Sequence, residues 1–155
     1  MRRKDKEIND QNKIEEIIKN NNVCRLGFCD GEFPYVIGIN YGYKDRTFYF
    51  HTPKEGRKIN IIKKNNNVCI EIEEKVEIVK SELPCNWGTK YKSVIGFGKI
   101  ELINNPDEIK QGLTILMEQF TGKYENFEYN EKMFASICLL KLNIDTLTGK
   151  KSGLD

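Results

Sequence analysis

The dipeptide Asp30-Gly31, set between two apolar runs, constrains this chain more than any other feature. Val23 to Cys29 and Tyr35 to Tyr41 both read as strands, and Asp-Gly is a strong signal for a tight hairpin turn between strands. Two strands joined so closely must pair antiparallel. A turn through Gly42 to Asp45 leads to an aromatic run, Thr47 to His51, read as the third strand of an antiparallel meander.

The apolar period then changes. Asp10 to Asn20 and Glu55 to Lys64 carry isoleucines at helical spacing, Ile14, Ile17 and Ile18 in the first and Ile59 and Ile62 in the second. Val68 to Glu73 alternates, with Val68, Ile70 and Ile72 on one face and Cys69, Glu71 and Glu73 on the other. Val76 to Val79 extends this hairpin, and Ser81 to Lys90 reads as a loop. Tyr91 to Ile103 is a long strand whose Gly96 and Gly98 mark a bulge, a bend or a close backbone approach. Asn105-Pro106-Asp107-Glu108 combines an N-cap, a proline at the first helical position and a glutamate in the first turn. The helix it opens carries Ile109, Leu113, Leu116, Met117 and Phe120 and ends near Gly122. Met133 to Ile144 is a final strand; residues 1–9 and 146–155 read as peripheral tails. The expected architecture is one domain over 1–155, mainly β with capping helices, an antiparallel sheet closed into a barrel to protect its edges.

Bulk properties exclude several functions. The formal net charge is only +2, and acidic and basic residues are interspersed, so no stripe for nucleic acid stands out. No apolar run is long enough to span a membrane, and the first twenty residues lack the apolar core of a signal peptide; a cytoplasmic protein is expected. The five cysteines scatter without a C-x-x-C, which argues for free thiols over disulfides or zinc. No G-x-G-x-x-G marks a built-in nicotinamide domain.

The chemistry concentrates where a strand hands over to a helix, Tyr49-Phe50-His51-Thr52-Pro53-Lys54-Glu55-Gly56-Arg57-Lys58. A helix N-terminus offers free N–H groups and a positive dipole end, which suit a phosphate. Arg57 adds a planar fork, Lys58 a point charge and Thr52 a hydroxyl. The competing reading is a capping box, Thr52-Pro53-Lys54-Glu55, with Arg57 and Lys58 as solvated charges. Twenty Lys to five Arg makes an Arg beside a glycine less ordinary here. His51, the only histidine, could move a proton near neutral pH or be a structural residue; alone it makes no metal site. Tyr35 to Tyr41 could wall a flat ring or simply pack in the core, and Trp87 and Tyr91 could stack on a ring, seal an interface or pack.

In order and spacing these segments resemble the pyridoxamine 5'-phosphate oxidase-like FMN-binding split barrel, and within it the 5-nitroimidazole resistance (Nim-type) branch. The resemblance rests on Met1-Arg2-Arg3-Lys4-Asp5-Lys6-Glu7-Ile8, Pro34-Tyr35-Val36, Asn40-Tyr41-Gly42-Tyr43, Phe50-His51, Glu55-Gly56-Arg57-Lys58, Val68-Cys69 and Tyr91-Lys92-Ser93-Val94-Ile95-Gly96-Phe97-Gly98. It implies a homodimer with FMN at the interface. Arg57 and Lys58 would hold the phosphate, and Tyr35, Val36, Ile37 and Asn40 would line the ring and ribityl chain. Phe50, His51 and Thr52 would lie along the cofactor, and Ser93 would touch it, with Trp87 and Tyr91 offered by the opposite subunit. His51 would be the catalytic residue as electrons pass to a small acceptor, in that branch a nitro group, with NAD(P)H as a transient donor. The chain departs from the oxidase pattern: no arginine follows Arg57, no histidine follows His51, and Tyr35 and Asn40 stand where the oxidase has Arg and Lys. That argues against pyridoxamine phosphate oxidation. The alternative is a flavin- or haem-binding module for storage or sensing, in which His51 is the sole imidazole for a haem iron.

Overall fold

The hairpin at Asp30-Gly31 forms as its sequence dictates. In the computed structural model, which describes residues 3–154, β2 (Val23–Asp30) and β3 (Phe33–Asn40) pair antiparallel, from Val23 opposite Asn40 to Asp30 opposite Phe33. Met1 and Arg2, two of the residues that carry the resemblance, lie outside the described residues, as does Asp155. Ahead of the hairpin come β1 (Glu7–Ile8) and α1 (Gln11–Lys19). Asp10 caps α1 through its side chain, which accepts from the Asn12 N–H, and Ile14, Ile17 and Ile18 are buried beneath it.

The third strand of the expected meander goes elsewhere. β4 (Gly42–Lys44) and β5 (Thr47–Pro53) pair with each other, and β5 then pairs with β8 (Ile137–Ser152), not with β3. The sheet runs β3-β2-β6 (Asn67–Val79)-β7 (Gly88–Ile103)-β8-β5-β4, with β1 on β8. The inner face of β5 is buried and its outer face only in part. Phe48 and Phe50 enter the main core beside Leu140 and Leu142, while Tyr49 packs toward α3 (Pro106–Thr121), so β5 needs a flanking strand that β3 cannot supply. β6 (Asn67–Val79) and β7 (Gly88–Ile103) form a long antiparallel pair through the middle of the sheet, and α2 (Arg57–Lys64) lies between β5 and β6 in sequence.

Two further expectations are corrected. Neither end is wholly a tail: Glu7 and Ile8 form β1 with Ile8 in the core, and residues 146–152 continue β8 and pair with β7 and β1, because Leu147 reaches the core and Gly149 admits Ile8 and Ile14. Glu131–Ala135 is a short 3-10 turn, so the last strand begins at Ile137 and not at Met133.

The main core gathers Ile14, Ile17, Leu26, Phe28, Phe48, Phe50, Ile70, Ile72, Ile100 and Leu140. Each such side chain contributes roughly 1.5–3 kcal/mol when removed from water. A smaller cluster under α3 joins Ile109, Leu113, Phe134 and Leu139. Asn105 caps α3 by accepting from the Asp107 and Glu108 N–H groups. At Gly98 the register of β7 against β8 slips, and a Cβ there would sit 2.1 Å from the Asn143 carbonyl oxygen, so only glycine fits the approach.

Candidate functional site

The strand-to-helix junction differs from a capping box. β5 holds its ladder through Pro53, opposite Ile137, and the Lys54 N–H donates to the Ser136 carbonyl, so Thr52 to Glu55 stay out of the helix. α2 instead starts after Gly56, whose φ of 119° is open only to glycine, and no side chain caps it. No acidic residue lies in its first turn. The end of α2 nearest β5 therefore carries uncapped N–H groups and the positive end of the dipole, with Lys54, Arg57 and Lys58 adjacent in sequence and the Arg57 charge paired with Asp30.

Arg57 is fixed from two sides. Its Nε and Nη2 both donate to Asp30 Oδ2 at 2.9 Å, and its guanidinium carbon stands 4.4 Å above the Tyr35 ring. The end of the first hairpin is thus tied to the start of α2, across the side of the barrel where β3 and β5 are not paired. Thr52 lies at the same junction with its side chain turned inward. It is 1% exposed, and its Oγ1 has no hydrogen-bond partner among the described residues. A buried hydroxyl in that condition is unusual and fits a site that takes a polar ligand atom.

The donor set suits a phosphate ester on a flat ring: cationic and N–H donors at one end, and the half-buried Tyr35, Ile37 and Ile39 along the adjoining strand. The other predicted residues divide. Val36 and Asn40 alternate to the opposite face of β3 and are exposed. The Phe50 ring lies fully inside the core, stacked on Phe48 at 6.3 Å, so only its backbone can border a cleft. His51 is exposed on β5, on the face opposite Thr52. Tyr91 and Ser93 stand on β7 with Trp87 just ahead of it, and β2 and β6 intervene between β7 and β3. One chain does not bring those three to Arg57. Asp30 was legible only as a turn residue; its pairing with Arg57 depends on closure between distant segments.

A second feature had no sequence signal. The outer face of β3, β2, β6 and β7 holds an open apolar groove of about 380 Å³, walled by Gly27, Pro34, Val36, Cys69 and Phe97. Val36 is 59% exposed and Phe97 54%. Burial pushes the Cys69 and Cys138 thiols up, Cys138 against the opposing pull of Lys54 and Lys58, which argues against reactive thiolates. Among the described residues no group of His, Cys, Asp and Glu is placed to hold a metal, and no helix is long and apolar enough to cross a membrane.

The sheet order, the helices against it and the tied junction define an antiparallel split β-barrel. The sequence profile described as Pyridoxamine 5'-phosphate oxidase matches residues 10–151, and the chain belongs to that family. A proposed 5-nitroimidazole antibiotic resistance protein from Bacteroides thetaiotaomicron is similar at 32% identity and a TM-score of 0.82, over 94% of this chain and 86% of that one. The fold also matches the flavocytochrome Anf3 from Azotobacter vinelandii (18% identity, TM-score 0.82, 96% of this chain and 72% of that one). The FAD and heme binding protein from Mycobacterium smegmatis is similar in fold as well (17% identity, TM-score 0.84, 96% and 74%). No protein with a curated description matches.

Proposed function

We propose that this chain is an FMN-binding oxidoreductase that works as a homodimer and reduces a small aromatic acceptor, a nitro compound being the favoured class. The observation that carries the proposal is the junction: an uncapped helix start ringed by Lys54, Arg57 and Lys58, with the unpartnered, buried Thr52 hydroxyl beside it. The likeness to the B. thetaiotaomicron protein supports the acceptor class.

Bound flavin supplies the redox chemistry, taking up and releasing electrons. The protein's part is to hold and shield it. Arg57, already oriented by Asp30 and Tyr35, would meet the phosphate without losing much side-chain freedom. Tyr35 and Ile37 would give the ring an apolar wall, and His51 would hold a proton at an imidazole nitrogen near the acceptor. A second copy is called for on two grounds: the apolar outer groove, and the distance in the sheet between β7, with Trp87, Tyr91 and Ser93, and the Arg57 junction. The five free thiols suit a reducing cytoplasm.

Titration with FMN and with riboflavin tests the assignment, since the two differ only in the phosphate. Arg57→Ala should weaken FMN binding by about tenfold to a hundredfold, the scale of a lost charge-assisted hydrogen bond, and leave riboflavin unaffected. Equal FMN affinity in wild type and variant contradicts the phosphate site. A purified protein with a haem Soret band and no flavin absorption contradicts the cofactor. Mixing the reduced, loaded protein with nitro compounds, quinones and oxygen under anaerobic control ranks the acceptors.

A further inference from the structure

The row of side chains that β5 and β8 turn into the core is apolar until its last pair. Phe48 stands opposite Leu142 and Phe50 opposite Leu140; the next inward pair is Thr52 opposite Cys138. Both are shut in, Thr52 at 1% exposure and Cys138 at 3%. Residues directly opposite on one face of an antiparallel pair have Cβ atoms about 4.5–5.5 Å apart. Yet no hydrogen bond joins these two. The Cys138 Sγ–H points to the Pro53 carbonyl at 3.8 Å, and the Thr52 Oγ1 has no partner among the described residues. A valine, which has the shape of threonine, would close the row without an orphaned hydroxyl. The orphan is accounted for by a polar atom that comes from outside the chain.

The surroundings of the pair say what kind of atom that is. From Thr52 the chain passes through Pro53 and Lys54 to the start of α2, and Lys54 and Lys58 are half-buried. The charges of Lys54, Lys58 and Lys63 all pull the Cys138 thiol down, against a larger upward push from burial. The three amines are therefore within electrostatic reach of Sγ, and none of them is in an ion pair among the described residues. An enclosed spot that feels three ammonium charges favours an anion. A thiol that burial keeps protonated gives such an anion a weak S–H donor and no charge to repel it.

We propose that Cys138 belongs to the phosphate pocket: with Thr52 it forms the inner wall, and its small neutral side chain leaves the room that the phosphoryl group of FMN takes. The inference rests on the FMN site proposed above and adds a residue from the far end of the chain that the strand-to-helix junction alone does not reveal. Cys138 is a binding residue here, not a reactive one.

The test compares FMN with riboflavin in the full-length protein, because a change that merely loosens the core moves both ligands together. Cys138→Val, bulkier and without a donor, should weaken FMN at least about tenfold and leave riboflavin as in wild type. Cys138→Ser keeps the size and the donor, so FMN affinity should return, while the phosphorus NMR resonance of bound FMN is displaced from its wild-type position. An FMN-to-riboflavin affinity ratio in Cys138→Val equal to that of wild type overturns the proposal. So does a phosphorus resonance identical in wild type and Cys138→Ser, which also decides the matter if the valine variant does not fold. Wild-type protein that binds FMN no better than riboflavin overturns the phosphate site itself, and the place of Cys138 with it.

Discussion

A guanidinium has five donors, and Arg57 directs only its Nε and Nη2 at Asp30. The pair is solvent-exposed, with Arg57 at 57%, so it contributes about 0–1 kcal/mol and does not lock the fold. Its effect is to aim a long side chain; in the proposed FMN site the remaining N–H groups would meet phosphate oxygens. His51 sits differently. No side-chain hydrogen bond holds it among the described residues, and it is exposed one residue before the inward-facing Thr52. A free imidazole in that position is suited to proton delivery and contributes little to binding. His51→Ala should therefore slow acceptor reduction by about a hundredfold while FMN affinity stays the same. Stopped-flow oxidation of the reduced protein measures the first and fluorescence titration the second; an undiminished rate removes His51 from the chemistry.

Helices were legible in the sequence because their signals are local. Asn105 and Pro106 fix the start of α3, and Asn105→Ala should lower stability by about 1 kcal/mol in urea unfolding, the usual effect of losing a side-chain cap. The hairpin at Asp30-Gly31 and the alternation from Val68 to Ile72 were legible for the same reason. The partner of β5 was not. Phe48 and Phe50 signal a buried strand, but nothing near them says that Leu140 and Leu142 will lie alongside. Likewise the Arg57 and Lys58 junction could be read from local chemistry, whereas the tie to Asp30 and the burial of Phe50 needed the closed barrel. Gly98 lies between these cases: its presence in a strand announced a bulge, a bend or a close approach, and the pairing of β7 with β8 shows both a register shift and a close approach to Asn143. Gly98→Ala forces a Cβ onto the Asn143 carbonyl, a backbone atom that cannot swing away. We expect destabilisation by about 1–3 kcal/mol or more, read as a lower urea midpoint. An unshifted midpoint would show that the bulge relaxes freely.

At the scale of the whole molecule, burial keeps a set of hydroxyls and thiols neutral, Cys24, Tyr41 and Tyr43 foremost, which makes stability sensitive to alkali. Cys24, fully enclosed on β2, has its thiol pushed up to about 12 from 9.0, by desolvation first and by the Glu71 charge second. Desolvation also raises the Tyr41 and Tyr43 phenols, and Tyr43 is raised further by donating to the Glu15 carboxylate at 2.6 Å. In the unfolded chain the Cys24 thiol loses its proton near the ordinary cysteine value, while in the folded protein it keeps it. Between the two values the native state binds more protons, so stability is fully present below about pH 9 and falls as pH rises toward 12. A shift of that size corresponds to at most about 4 kcal/mol, a large share of the 5–15 kcal/mol typical of a domain. Urea unfolding at about pH 8, 9.5 and 11 should show a progressive loss. Cys24→Ala opens a cavity and should be less stable at neutral pH, yet its curve should fall less steeply, because the Cys24 response is gone and only the other buried groups, Tyr41, Tyr43, Cys69 and Cys138, remain. Parallel curves for wild type and variant would mean that the thiol ionises freely in the folded state and that the enclosure around Cys24 is looser than its neighbours Leu26 and Tyr41 suggest.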